Sequence, residues 1–421
     1  MEYNTPNLKR EMLKDYTVLV PNMSPIQFRI GRAALQSEGY EKVELCGSRS
    51  PEALRLGLKY VHNDTCYPAI LIIGQFLEAL ESGKYDPDHT ALIISQSGGG
   101  CRASNYIKLL RKALVNAGYS QVPVGSANVS GLEKSNLIPW TPRMLVKLCA
   151  AVFYGDLLMA LRNEVHAYEV HAGDTEKKLE LWIERISNWM HENRNVSLFS
   201  FRKVFPMIVK DFAEIEIRRV PKVKVGVVGE IYVKFSPYGN NELLSFLEAQ
   251  GCEVNFPGVL GYLAYCAANM KLDTKYYGMK PMAGRVAGLV LNYFDMAQKE
   301  MAKVLRQYGF YSAGSFEELM KKPEGILDLG TKMGEGWLLT AEMVELIEGG
   351  YPNIICAQPF GCLPNHIAGK GVVNKLRERF PQANISPIDY DPSAAKVNQE
   401  NRIRLMLAVA REQLETRESD H

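Results

Sequence analysis

Hydrophobic and polar positions along the chain follow two alternating patterns. Short β-branched runs end in Gly/Pro turns, and between them lie longer stretches with apolar residues three and four apart. Residues 16–21, 43–46, 91–95 and 121–125 read as strands, and 26–38, 53–58, 69–80 and 104–114 as helices. Strands alternating with helices of this length predict βαβ units and a parallel sheet. Residues 143–161 and 175–192 then keep helical periodicity with no strand between them, and Trp182 and Trp189 fall on one face. At 222–229 the first pattern resumes. Helices are expected at 242–249, 289–308, 338–347, 367–380 and 394–415, with strands at 252–256, 354–356 and 385–389. The expected architecture is α/β, two Rossmann-like domains with parallel sheets joined by a helical segment. The N-terminal α/β domain takes residues 1–155, the helical bridge 156–220 and the C-terminal α/β domain 221–421. No internal repeat is exact.

Composition narrows the class without changing this picture. A chain of 421 residues suggests more than one domain. It is 47% hydrophobic and 23% charged, as ordinary globular proteins are, and a net charge of +2 gives no argument for nucleic acid. No stretch approaches the roughly 20 apolar residues of a membrane span. Residues 1–14 are polar and lack a signal-peptide core. A cytoplasmic location is therefore expected, where thiols stay reduced.

Eight cysteines must then be sorted. Cys149, Cys252 and Cys266 lie in apolar runs and read as core residues. Cys46 closes a strand but opens no helix. The other four cluster on suggestive turns. Cys356 ends a β-branched run, and Gln358-Pro359-Phe360-Gly361-Cys362-Leu363-Pro364 leads from it into a helix. Cys66-Tyr67-Pro68 opens the helix at 69–80, and Ser97-Gly98-Gly99-Gly100-Cys101 the helix at 104–114. Each of Cys66, Cys101 and Cys362 is expected on a strand-to-helix turn, beyond the carboxyl end of a strand, where open sheets bind ligands. A helix N-terminus lowers a thiol's pKa and favours anions. Three such thiols suit an iron–sulfur cluster, with Gly99 and Gly100 letting backbone N–H groups approach it.

Other readings use the same residues. Zinc also takes thiolates, and His62 or His366 would complete such a site; a zinc-binding or non-redox scaffold or maturation protein is the alternative function. The glycine run lacks the Lys-Ser/Thr ending of a phosphate-binding loop. Glu230, at a strand end beside Tyr232 and Lys234, is a candidate catalytic acid/base facing the cleft. The loop Lys332-Met333-Gly334-Glu335-Gly336-Trp337 is ambiguous in the same way.

Several motifs together carry a resemblance. His62-Asn63-Asp64-Thr65-Cys66-Tyr67-Pro68-Ala69, the run 96–102 followed by Ala103-Ser104-Asn105-Tyr106, Gly229-Glu230-Ile231-Tyr232, the Cys362 motif, and Asp389-Tyr390-Asp391-Pro392 with Asn401-Arg402 resemble the dehydratase-related region of the 2-hydroxyacyl-CoA dehydratase/activase-related proteins. The resemblance covers about residues 15–410. It implies a cysteine-bound [4Fe-4S] cluster, or an [8Fe-9S] double-cubane cluster if Cys356 or Cys46 joins, with Cys66, Cys101 and Cys362 as ligands. It implies an electron-transfer protein, a reductase or dehydratase component, served by an ATP-hydrolysing activase of the sugar kinase/Hsp70/actin type. A homodimer is compatible with it. No activase domain accompanies these motifs, so that ATPase is expected on a separate chain. No residues identify a CoA pocket.

Overall fold

The protein is seen here as a computed structural model that describes residues 5–47, 50–97, 100–127 and 141–419. Gly98 and Gly99 lie outside the described residues.

Two four-stranded sheets, all parallel, organise the chain. In the first, β1 (Thr17–Pro21), α1 (Pro25–Gln36), β2 (Val43–Cys46), α2 (Pro51–Tyr60), α3 (Tyr67–Glu81), β3 (Thr90–Ser95), α4 (Tyr106–Ala117) and β4 (Val124–Ala127) wind into the strand order β2-β1-β3-β4. The order reverses between β1 and β3, the position where open α/β sheets leave a crevice.

A run of helices follows: α5 (Pro142–His166), α6 (Asp174–Glu192) and α7 (Phe201–Ala213). Then β5 (Lys224–Gly229), α8 (Ile231–Phe235), α9 (Leu243–Ala249), β6 (Glu253–Asn255), α10 (Val259–Tyr277), α11 (Pro281–Gln307), α12 (Phe316–Leu319), α13 (Trp337–Glu348), β7 (Asn353–Pro359), α14 (Leu363–Asn365), α15 (Val373–Arg379), β8 (Asn384–Tyr390) and α16 (Lys396–Ser419) complete the chain. The second sheet runs β6-β5-β7-β8, the same winding as the first. The β-branched run Ile354-Ile355 pairs with Gly226 and Val227 of β5 and with Ile385 and Ser386 of β8.

The helical layer is larger than a bridge. Trp182 and Trp189 meet edge to face at 5.9 Å, as their spacing predicts, in a core shared by α1, α5, α6, α7, α10 and α11. Helix α5 runs unbroken through residue 155, and α10 and α11 reach this layer from within 221–421. α5 is also long and apolar enough to cross a membrane, against the sequence expectation; 67% of its most apolar window is buried inside the protein, where a central helix needs no polar face. Its Asp156 is buried and accepts from the amides of Val259 (3.1 Å) and Leu260 (2.8 Å), fixing the start of α10, and from Gln27 Nε2 of α1 at 2.7 Å.

Two departures follow from local chemistry. The turn before Cys66 leaves a helix, not a strand, because α2 extends to Tyr60. Helix 367–380 is interrupted: a π-helical turn at His366–Lys370 separates α14 from α15, and Gly369 and Gly371 leave its backbone free to widen. The Gly369 position is also tight, since a Cβ there would lie 2.8 Å from Cys356 Sγ.

Candidate functional site

Each of the three singled-out cysteines caps a helix. Cys66 is the N-cap of α3, Cys101 of the 3-10 turn Arg102–Asn105 that enters α4, and Cys362 of α14. The Cys66 thiol receives no backbone N–H from its helix, whereas the N–H groups of Ala103 and Asn365 face the Cys101 and Cys362 thiols. Prolines at the first turns of α3 and α14 fix the chain direction where their missing N–H groups cost nothing.

Hydrogen bonds and close contacts draw the three turns together. Arg102 Nη1 donates to the Asp64 carbonyl at 2.9 Å, tying the Cys101 turn to the Cys66 turn. The Gly100 amide donates to Met333 Sδ at 3.2 Å, and a Cβ on the neighbouring Gly334 would lie 2.9 Å from Pro364. The loop 331–336 thus links the Cys101 turn to the Cys362 turn. The Gly100 amide is engaged there by Met333. The ionisation of Cys66 feels Cys101, that of Cys362 feels Cys66, and all three feel Glu230 and Glu335.

The two sheets support the site in parallel ways. Cys101 and Cys362 both follow the third strand of their sheet. Just past β3, Gln96 accepts from Ser126 Oγ of β4 at 3.0 Å; inside β7, Gln358 donates to Asp389 Oδ1 of β8 at 2.7 Å. Each glutamine pins the loop that ends in a cysteine to the neighbouring strand.

Glu230 follows directly on β5 and caps α8, accepting from the Val233 amide at 2.8 Å. Gly229 before it has φ +147° and lies so close to β7 that a Cβ would sit 1.9 Å from the Ala357 carbonyl oxygen. Glu335 is buried and accepts from the Ile231 amide at 3.1 Å. Two carboxylates therefore share the first turn of α8. Burial raises both carboxyl groups, and Glu335's charge raises Glu230 further, so the pair retains a proton at a pH where ordinary carboxylates have lost theirs. Glu335 Oε2 accepts from Asn365 Nδ2 at 3.1 Å, and the same amide donates to Cys362 Sγ at 3.3 Å. Beneath them, Lys234 pairs with Glu342 at 3.2 Å, both buried.

A raised folded-state carboxyl stabilises the fold at acid pH, and that contribution is lost as pH rises through the folded value. Glu230→Gln keeps an oxygen for the Val233 amide and removes the charge. Its stability relative to wild type is expected to improve by about 1–2 kcal/mol between pH 5 and pH 8, read from urea midpoints. An unchanged difference across that range would place the retained proton elsewhere.

The thiols depart from the helix-terminus expectation. Burial pushes Cys66 up to about 12 and raises Cys101 and Cys362, and the two carboxylates add to each rise. In the protein alone, desolvation outweighs the helix termini; a bound cation reverses that balance by deprotonating its thiols outright. Among the described residues no group of three His, Cys, Asp or Glu side chains is arranged to hold a metal ion as it stands. The fit to an iron–sulfur group rests on donor chemistry: three thiols on converging caps, two of them already receiving buried N–H or O–H donors. Asn365 Oδ1 is also buried without a partner.

The other candidates sort as follows. Cys356 is wholly buried in β7, where burial and the charges of Asp389, Glu335 and Glu342 raise its thiol. Cys46 lies at the far edge of the first sheet, among Glu44, Glu78 and Lys84. His62 is exposed and accepts from the Asp64 amide; His366 follows Asn365, half-buried. Cys266, expected in the core, instead faces outward from α10 beside Tyr262, on the side that looks toward Glu335. Tyr262 stacks on Tyr265 at 6.0 Å, and the Tyr265 hydroxyl holds the Lys332 carbonyl at 2.9 Å, so α10 walls the loop that carries Glu335. Only the helical period of 259–277 would have separated Cys266 from the buried Ala264, Ala267 and Ala268.

The chain matches no protein-family model and no curated protein.

Proposed function

We propose that this protein is a cytoplasmic iron–sulfur protein that accepts low-potential electrons from an ATP-hydrolysing activase and passes them to a substrate, in the manner of the 2-hydroxyacyl-CoA dehydratase-related proteins its motifs resemble. The observation that supports this most is that three helix-capping cysteines, from chain segments as far apart as 66 and 362, share one pair of carboxylates. Cys66, Cys101 and Cys362 would hold the cluster, a [4Fe-4S] group by their number. When bound, such a group supplies single electrons at low potential.

The protein's own residues supply the rest. The helix caps orient the thiols and turn helix starts toward negative charge. The Glu230–Glu335 pair holds a proton close to the sulfurs, where a reduced substrate needs one. Tyr262 and Tyr265 back the loop that carries Glu335, and Met333 sits against the Gly100 amide, so apolar surface surrounds the carboxylates.

The test is anaerobic purification with iron and sulfide analysis. Wild-type protein is expected to carry both, with broad absorbance near about 400 nm from iron–thiolate charge transfer. Cys66→Ser, Cys101→Ser and Cys362→Ser are each expected to lose most of the iron, and Cys46→Ser to keep it. A colourless wild type with stoichiometric zinc would replace this reading by the zinc alternative, and full iron in any of the three variants would remove that residue as a ligand.

A further inference from the structure

Two of the three sulfurs already have a buried hydrogen-bond donor aimed at them. Tyr106, the first residue of α4, is 5% exposed, and its hydroxyl donates to Cys66 Sγ at 3.2 Å. Asn365 is wholly buried and its Nδ2 donates to Cys362 Sγ at 3.3 Å. A buried phenol needs a partner for its O–H, and native interiors nearly always provide an oxygen. A neutral thiol is a poor acceptor, so this pairing leaves the Tyr106 hydroxyl weakly satisfied while the sulfur is protonated. Once the sulfur carries negative charge the same contact becomes a charge-assisted hydrogen bond, about twice as strong. The polar arrangement around Cys66 is therefore complementary to the thiolate and mismatched to the thiol. The same holds at Cys362, where Asn365 spends an amide proton on sulfur while its own Oδ1 stays buried and unpaired.

We infer that Tyr106 is a positioning residue that binds the Cys66 sulfur in its anionic, metal-bound form, and that Asn365 does the same for Cys362. The inference rests on the thiolate-ligand reading above but adds to it. These two donors hold the sulfurs in place, raise the affinity for a thiolate-bound metal, and draw electron density from the sulfurs, which makes a cluster there easier to reduce. Outer partners of metal ligands commonly contribute 10–100-fold in affinity. Hydrogen bonds to ligating sulfurs are among the factors that set cluster potentials.

The experiment uses the full chain in two forms. Stripped of metal under anaerobic conditions, wild type, Tyr106→Phe and Asn365→Leu are titrated with cobalt(II), whose thiolate charge-transfer band reports the bound ion. Each variant is expected to bind cobalt about 10-fold or more weakly than wild type. As isolated with its iron–sulfur group, Tyr106→Phe is expected to show a lower reduction potential by EPR-monitored titration, about 59 mV for each tenfold change in the one-electron equilibrium. Tyr154→Phe is the control, because Tyr154 is an equally buried tyrosine whose hydroxyl donates to the Asn195 carbonyl in the helical layer. It should leave both readouts at wild-type values, which separates sulfur contact from loss of any buried hydroxyl. If wild type takes neither cobalt on thiolate nor iron, the ligand site itself fails and the inference falls with it. If wild type takes both and folded Tyr106→Phe matches it in affinity and potential, the inference alone is overturned.

Discussion

Lys234→Met is expected to destabilise the protein by about 3–5 kcal/mol, the usual cost of leaving one partner of a buried ion pair without the other. Lys234 and Glu342 are 4% and 2% exposed at their side chains and meet at 3.2 Å. Burial raises the Glu342 carboxyl, Lys234 lowers it, and Glu335 nearby raises it again. Without the ammonium, three acidic groups (Glu230, Glu335 and Glu342) lie in one apolar region with no cation among them. A carboxyl raised in the folded state is tolerated while protonated and becomes a liability as pH rises. The variant's deficit should therefore be largest near pH 8 and shrink toward pH 5, as urea midpoints at the two pH values would show. Adding Glu342→Met to the same chain should recover most of the loss, since a well-packed apolar pair can replace a buried ion pair. A single variant as stable as wild type at pH 8 would mean that Glu342 is neutral in the native protein.

The second large effect is steric. Helices α2 and α3 cross at Gly57 and Gly74, where a Cβ on Gly74 would sit 1.8 Å from the Ala53 carbonyl oxygen and one on Gly57 2.1 Å from that of Ile70. These are backbone atoms on both sides, so no side chain can swing away. Gly74→Ala should cost at least the 1–3 kcal/mol or so typical of overpacking, although alanine is the better helix former by about 1 kcal/mol. Because α3 begins at Cys66, parting the helices also shifts that sulfur. The variant should melt lower and carry less iron. Melting at the wild-type temperature would show that the crossing has slack.

The position of Cys101 and Cys362 on strand-to-helix turns was legible in the sequence, because a β-branched run, a Gly or Pro turn, a cysteine and an apolar-periodic run occur there within one window. Cys66 was found for the right cap and the wrong approach: Tyr60 and Val61 are β-forming residues, yet the helix from Pro51 runs to Tyr60 because its periodic apolar face packs on α3. Glu335 was only an ambiguous loop residue. Its importance comes from the Ile231 amide, 104 positions away, and no local pattern encodes that contact. Tyr106 lay inside the helix expected at 104–114, and only the fold puts its hydroxyl on a sulfur. The parallel winding of the two sheets was equally hidden, since strand order depends on long-range pairing while each strand is written locally.

One continuous apolar core joins the two sheets: α3 and β3 residues such as Phe76 and Leu92 belong to the same cluster as Val227 of β5 and Tyr232 of α8. Tyr232 also donates across it to Gln75 at 3.2 Å. Lobes sharing an apolar core are expected to move little relative to one another, since opening them would expose that surface. On the outer side of the cysteine turns, Met333, Phe360 and Leu363 keep half or more of their surface in water, an apolar patch beside Cys362. A molecule approaching the proposed cluster from that side would meet greasy side chains before it met any charged group.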